Sequence, residues 1–154
     1  MNIYLASDHA GFELKEGIKK YLTGKGCKII DFGASSYNET DDYPDFIFAA
    51  ASAVSEDAKI GIESKAIIFG YSGQGEAMMA NRLANVRACV FYGGASDLII
   101  LSREHNDANV LSIGANFLSL EKAKQAIDLW FATDFSKEDR HIRRIKEIEQ
   151  YAKK

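Results

Sequence analysis

Ala66-Ile67-Ile68-Phe69-Gly70-Tyr71-Ser72-Gly73-Gln74-Gly75-Glu76 is the stretch on which the reading of the fold turns. Its first four residues are apolar without alternation, the pattern of a strand buried on both faces. Glycines at 70, 73 and 75 follow, and from Glu76 to Leu83 the pattern is helical. A doubly buried strand running through a tight turn into a helix is the repeating unit of a parallel α/β sheet.

The same alternation extends in both directions. Upstream, Ile3 to Ala6 predicts a strand, and Leu14, Ile18, Tyr21 and Leu22 recur at helical spacing until Gly24 and Gly26. Cys27 to Phe32 predicts a second strand. Pro44 opens a largely apolar helix carrying Phe46, Ile47, Ala49, Ala50, Ala53 and Val54. Downstream, strands are expected at Ala88 to Tyr92 and Asn109 to Ile113, with a helix from Ser96 to Arg103 between them. Leu120, Ala123, Ile127, Trp130 and Phe131 mark a fifth helix, and Ile142, Ile145 and Ile148 mark a sixth. The expectation is a doubly wound, Rossmann-like α/β sandwich with five parallel strands in the order 2-1-3-4-5. Its ligand crevice would lie between strands one and three, at their C-terminal ends.

The chain is 154 residues long, 47% hydrophobic and 27% charged, which suits a single globular domain spanning 1–154 and excludes disordered, collagen-like and coiled-coil classes. A net charge of -3 gives no field for nucleic acid or an anionic membrane. The start, Met1-Asn2-Ile3-Tyr4-Leu5-Ala6, lacks a basic region and a long apolar run, so a cytoplasmic protein with no membrane span is expected. Cys27 and Cys89 sit in apolar runs and read as reduced, structural residues, and the Asn38-Glu39-Thr40 sequon as accidental.

The chemistry-bearing residues fall in the loops after strands one and three. Ser7-Asp8-His9-Ala10-Gly11 sets a carboxylate beside an imidazole at the mouth of a helix. The glycines of Gly70-Tyr71-Ser72-Gly73-Gln74-Gly75 admit two readings, a tight turn or a nest of backbone N–H groups for an anion. The spacing fits neither a Walker loop nor the dinucleotide fingerprint. Glu76 in the first helical turn reads either as a residue favoured by the helix dipole or as an acid/base group. Asp41, Asp42 and Asp45 flank Pro44 and read as loop and N-cap residues. Arg103-Glu104-His105-Asn106-Asp107-Ala108-Asn109 places a histidine at a helix end. In Arg140-His141-Ile142-Arg143-Arg144, Arg140 and Arg144 share a helix face that is either solvated or a phosphate clamp. Nothing in the spacing suggests a metal site or a cysteine nucleophile. Together these pieces describe a small phosphorylated substrate handled by acid/base chemistry.

These segments, with Asp31-Phe32-Gly33, Asp42-Tyr43-Pro44-Asp45 and Ala80-Asn81-Arg82, run in order along nearly the whole chain. In them the chain resembles the type B ribose-5-phosphate isomerases, which share a family with galactose-6-phosphate isomerase subunits. The resemblance implies metal- and cofactor-free interconversion of ribose 5-phosphate and ribulose 5-phosphate, a pentose phosphate pathway step, through a cis-enediolate. One branch of that family carries its base as a cysteine at the end of strand three, the other as a glutamate in the next helix. Gly70 and Glu76 match the glutamate branch, which makes Glu76 the proton shuttle.

By the same resemblance His105 and Asp8 open the sugar ring and Ser72 assists the amides of Tyr71, Gly73, Gln74 and Gly75 around the enediolate. Asn106 and Tyr43 contact sugar hydroxyls, and His9, Arg140 and Arg144 hold the phosphate. A homodimer with shared sites is implied, the last helix (about 137–153) packing on the partner, with pairing into a tetramer left open. Two residues depart from the family pattern: Asn116 where an arginine often stands, and Tyr71 in place of a small residue. His105 disfavours the galactose-6-phosphate subunits, while allose and tetrulose phosphates stay open as substrates. A non-enzymatic phosphate-sensing module is the alternative class. A receiver-type module would need an acceptor Asp after strand three and a Lys after strand five, where this chain has Gly70 and Gly114.

Overall fold

In the computed structural model, which describes residues 1–151, the deciding stretch is strand β3, Ser64–Gly70, buried along its whole length. It is preceded by β1 (Asn2–Ser7), α1 (Phe12–Gly24), β2 (Ile29–Asp31) and α2 (Tyr43–Lys59). It is followed by α3 (Gln74–Ala80), β4 (Ala88–Phe91), α4 (Asp97–Glu104), β5 (Val110–Gly114), α5 (Leu120–Ala132) and α6 (Asp139–Tyr151). The end of the expected last helix, at 152–153, lies outside the described residues.

All strand pairs are parallel. Side chains alternate between two cores. Ile3 and Leu5 face a layer built with Ile18, Leu22, Ile127 and Trp130 from α1 and α5, and Tyr4 and Ala6 face one built with Ile47, Ala50, Val54 and Ala80 from α2 and α3. Each fully buried Ile or Leu contributes roughly 1.5–3 kcal/mol. The doubly wound sandwich is therefore as expected.

The strand order is not: the sheet runs β2-β1-β3-β5-β4, and the expected 2-1-3-4-5 is corrected. β5 is buried throughout, whereas β4 is half-exposed over three of its four residues. The strand that hides both faces takes the interior place beside β3, and the chain reaches the edge at β4 before stepping back. The reversal between β1 and β3, and with it the crevice, is unaffected by the exchange.

Three smaller expectations also change. β2 shrinks to three residues, and Cys27 precedes it instead of starting it. Cys27 and Cys89 are free but half-buried. The helix after β3 ends at Ala80, three residues before Leu83, where Asn81 caps the chain by exchanging two bonds with Ala88. No helix among the described residues is long and apolar enough to cross a membrane.

Candidate active site

Register brings the site together. Ser7 pairs with Phe69 and Gly70 with Gly114, so β1, β3 and β5 leave the sheet side by side at their C-terminal ends. Gly11, opening α1, presses so close to the backbone of Phe69 that a Cβ there would lie 2.6 Å from its carbonyl carbon. Glycine is thus required for the Asp8 turn to sit against β3. Asp8 is buried, and its Oδ1 accepts the backbone N–H groups of Ala10 (3.0 Å) and Gly11 (3.2 Å).

The loop after β3 is stitched to the exit of β5. Ala115 N–H donates to Gly70 O (2.8 Å), Asn116 N–H to Tyr71 O (3.1 Å), and the buried Ser112 hydroxyl to Gly73 O (2.6 Å). Gly73 has a left-handed φ of 78°, which turns the chain into α3 and which side chains rarely adopt. Ser72 Oγ accepts the Gln74 N–H at 3.3 Å and so supports the turn. Tyr71 is exposed and packs edge-on against Phe117.

Glu76 is the centre of this arrangement. The residue is 4% exposed and its carboxylate occupies the space beside Gly70: a Cβ on that glycine would lie 1.8 Å from Glu76 Oε1. Burial pushes the Glu76 carboxyl above the ordinary carboxylate range, with the negative charge of Asp8 adding to it and its own backbone amide opposing. Tyr43, from the start of α2, lies over the same turn, its hydroxyl 2.8 Å from where a Gly75 Cβ would stand. Asp8, Ser72, Glu76, Tyr43 and the loop glycines thus meet in one place.

His9 meets a partner that sequence reading missed. The sequence reads Asp41, Asp42 and Asp45 together as loop and N-cap residues. Asp42 does hold the N-cap position of α2 but makes no side-chain capping bond. Asp41 instead reaches back to His9, its Oδ1 accepting the backbone N–H at 2.9 Å and lying 2.6 Å from ring Nδ1. Asp8, His9 and Asp41 offer ligand-type atoms within 4.8 Å of one another. His9 Nδ1 and Asp41 Oδ1 are engaged with each other, while Asp8 Oδ1 is held by the amides of Ala10 and Gly11. The Asp41 bond, and the nearby Asp8 charge, raise the His9 pKa. Outward from His9 opens a cleft of ≈ 620 Å³ lined by Tyr37, Tyr71, Asn116 and Leu118, among others.

The remaining expected residues lie elsewhere. His105 is the C-cap of α4, which runs antiparallel to the strands and ends at their N-terminal edge. Its ring stacks 4.3 Å from that of His141, whose Nδ1 is 2.8 Å from Ser136 Oγ. Burial and the neighbouring His105 lower the His141 pKa. Asn106 is exposed, its carbonyl accepting from Arg87 Nε at 3.0 Å. Arg140 and Arg144 are exposed on α6, and Arg140 pairs with Glu138 at 2.8 Å. β5 alone, five residues of about 3.3 Å rise, sets His105 and Asn106 on the order of 15 Å from the Glu76 end of the sheet. Within one chain these four residues do not reach Glu76.

Comparison with known proteins agrees with this architecture. Residues 3–148 match the family model described as Ribose/Galactose Isomerase. The chain is 39% identical to ribose-5-phosphate isomerase B of Mycolicibacterium paratuberculosis over 151 residues, 98% of this chain and 91% of that protein. It is 36% identical to ribose-5-phosphate isomerase B of Escherichia coli over 146 residues, 95% of this chain and 93% of that one. Among solved structures, ribose-5-phosphate isomerase B from Mycoplasma genitalium with bound ribulose-5-phosphate superposes with a TM-score of 0.91 at 32% identity, covering 99% and 97% of the two chains. With a match that spans nearly all its residues and a fold that superposes along the whole length, this chain belongs to the ribose/galactose isomerase family.

Proposed function

We propose that the chain interconverts ribose 5-phosphate and ribulose 5-phosphate, with Glu76 as the proton shuttle. The observation that carries this reading is the buried Glu76 carboxylate, held in the space Gly70 leaves open beside Asp8 and raised toward the pH at which a general base works. Ionised Glu76 takes the C2 proton of the open-chain aldose, leaving a cis-enediolate. The protonated carboxyl then returns the proton to C1, while the proton of the C2 hydroxyl passes to the C1 oxygen, leaving a ketone at C2 and a hydroxyl at C1. The transfer is internal to the substrate and needs no cofactor. Backbone amides from Tyr71 to Gly75, with the Ser72 hydroxyl, stabilise the enediolate oxygens, and Tyr43 contacts a sugar hydroxyl. The bound ribulose-5-phosphate of the similar Mycoplasma genitalium structure supports the choice of substrate.

The site is completed by a second copy of the chain. His105 and Asn106, with Arg140 and Arg144, stand at the far edge of the sheet from their own Glu76, so we assign them to the crevice of a partner in a homodimer. His105 with Asp8 then opens the sugar ring, and the arginines join His9 at the phosphate. α6 supplies no residue to either core cluster, and Ile148 on its apolar stripe is exposed, as suits packing on a partner. A cytoplasmic enzyme of sugar-phosphate metabolism is the corresponding setting.

The test is ketose formation from ribose 5-phosphate with chelator present, run beside allose 6-phosphate. Wild type turns over ribose 5-phosphate, while Glu76→Gln loses turnover but still binds the sugar phosphate by calorimetry. Glu76→Gln retaining most of its activity would remove the assignment of the base. For the shared site, mixing inactive Glu76→Gln with inactive His105→Ala after subunit exchange restores about a quarter of wild-type activity, since half the dimers are hybrid and each carries one intact site. No restoration would place the site within one chain.

A further inference from the structure

Among the described residues along the ≈ 620 Å³ cleft at the mouth of the crevice, His9 is the one side chain able to carry positive charge, and Glu13 is the one carboxylate. The other lining groups are neutral: Ala10, Leu14, Tyr37, Tyr71, Ala115, Asn116, Leu118 and Leu120. The ring of His9 is held from behind. Asp41 accepts from both its backbone N–H and Nδ1, and the Asp41 side chain is 8% exposed with Oδ2 buried and unpartnered. A buried carboxylate with one oxygen unpaired is costly unless a cation stands against it, and His9 is the group that does.

We propose that Asp41 is a positioning residue for phosphate recognition: by holding His9 through Nδ1 it presents the Nε2–H of an imidazolium to the phosphoryl group of the substrate in the cleft. This rests on the reading that the chain acts on a sugar phosphate. The charge matching follows from two titrations. A phosphate monoester becomes a dianion above about pH 6, and His9 carries its proton only below its own pKa. Strongest binding falls in the window between them, and Asp41 widens that window upward. The groups facing His9 are Asp8 and Glu13 from the turn and first helix, Asp41 from the loop before α2, Tyr37 edge-on from the loop after β2, and Tyr71 across the cleft. Arg140 and Arg144 do not titrate in this range. Glu76 and His105 belong to the chemical steps, so the His9 contribution is the part of the pH profile of KM that disappears in His9→Gln.

The experiment measures KM and kcat for ribose 5-phosphate between pH 6 and 8.5 for wild type, Asp41→Asn, His9→Gln and the double variant. In Asp41→Asn the rise of KM with pH begins at lower pH, reaching about tenfold over wild type near pH 8, the loss of one charge-assisted hydrogen bond. Near pH 6 the difference is small, and kcat changes less than KM. The double variant equals His9→Gln. Equal KM ratios at all pH values, or additive effects in the double variant, would overturn the proposal. A readout independent of turnover is ring NMR of the three histidines, His9 being assigned by its loss in His9→Gln. The His9 titration moves to lower pH in Asp41→Asn, and inorganic phosphate shifts the His9 resonance in wild type. If wild type does not isomerise ribose 5-phosphate, the substrate reading fails. If the His9 titration is unmoved, this inference fails.

Discussion

Gly70→Ala offers the sharpest test of how the buried Glu76 carboxylate, the proposed base, is housed. The added Cβ would stand 1.8 Å from Glu76 Oε1 and 2.1 Å from its carboxyl carbon, where ordinary contact begins at 3.4 Å. The atoms in the way are the far end of a flexible side chain, so the strand survives and Glu76 retreats. Removing a strand glycine restrains the unfolded chain by about 0.4–1 kcal/mol, which offsets part of the crowding. Stability should therefore change little. Activity should change greatly, because the carboxylate must withdraw by well over 1 Å, and a displacement of about 1 Å costs roughly 10²-fold in rate. Initial rates of ribulose 5-phosphate formation, taken beside a thermal melt, separate the two effects. The acid limb of kcat/KM is the second readout. Burial raises the Glu76 pKa, so expulsion toward water shifts that limb to lower pH. A Gly70→Ala enzyme with more than half of wild-type kcat and an unmoved acid limb would refute the reasoning.

Three further outcomes follow from the same structure. Glu76 has a folded pKa raised by burial, so its protonated form contributes stability below the unfolded value that is lost as pH rises through the folded one. Glu76→Gln should accordingly melt above wild type at pH 7.5, with the gap closing toward pH 4. Ser112→Ala deletes the buried bond to Gly73 O, lowering stability by about 1 kcal/mol, or about 2–4 °C in the melt, with a fall in kcat as the turn into α3 loosens. Lys15, fully buried, donates to Asp31, Glu16 and Ala34 O. Lys15→Met leaves that carbonyl and part of the Asp31 charge unmet and should cost about 3 kcal/mol, read as a lower urea midpoint.

The sandwich was legible because Ala66 to Phe69 and Val110 to Ile113 announce doubly buried strands and helical periods separate them. The exchange of β4 and β5 was not. Ala88-Cys89-Val90-Phe91 looks at least as apolar as Val110-Leu111-Ser112-Ile113, and a serine argues for an edge. What makes Ser112 acceptable inside is the carbonyl of Gly73, a partner 39 residues away. At the site, Asp8, Ser72 and Glu76 were legible from their loops, and Gly70 from its place beside them. The His9–Asp41 pair was not, since 32 residues separate the two and Asp41 sits in a run of acids beside a proline that reads as a helix start. The distance of His105 from Glu76 follows from α4 running antiparallel to the strands, and the proposal that His105 serves a second chain draws on the resemblance.

The shared space between Gly70 and Glu76 also bears on how such a site can change over generations. A side chain growing from the strand and a carboxylate reaching in from the helix compete for one volume, so positions 70 and 76 cannot drift independently. Enlarging residue 70 first displaces the carboxylate, and shortening residue 76 first empties the place without filling it. Either single step passes through a poorer enzyme, and a lineage holding one solution is kept there unless both codons change together or a duplicate gene shelters the intermediate. Two neighbouring positions thus behave as one inherited character, and descent should be traced by the pair.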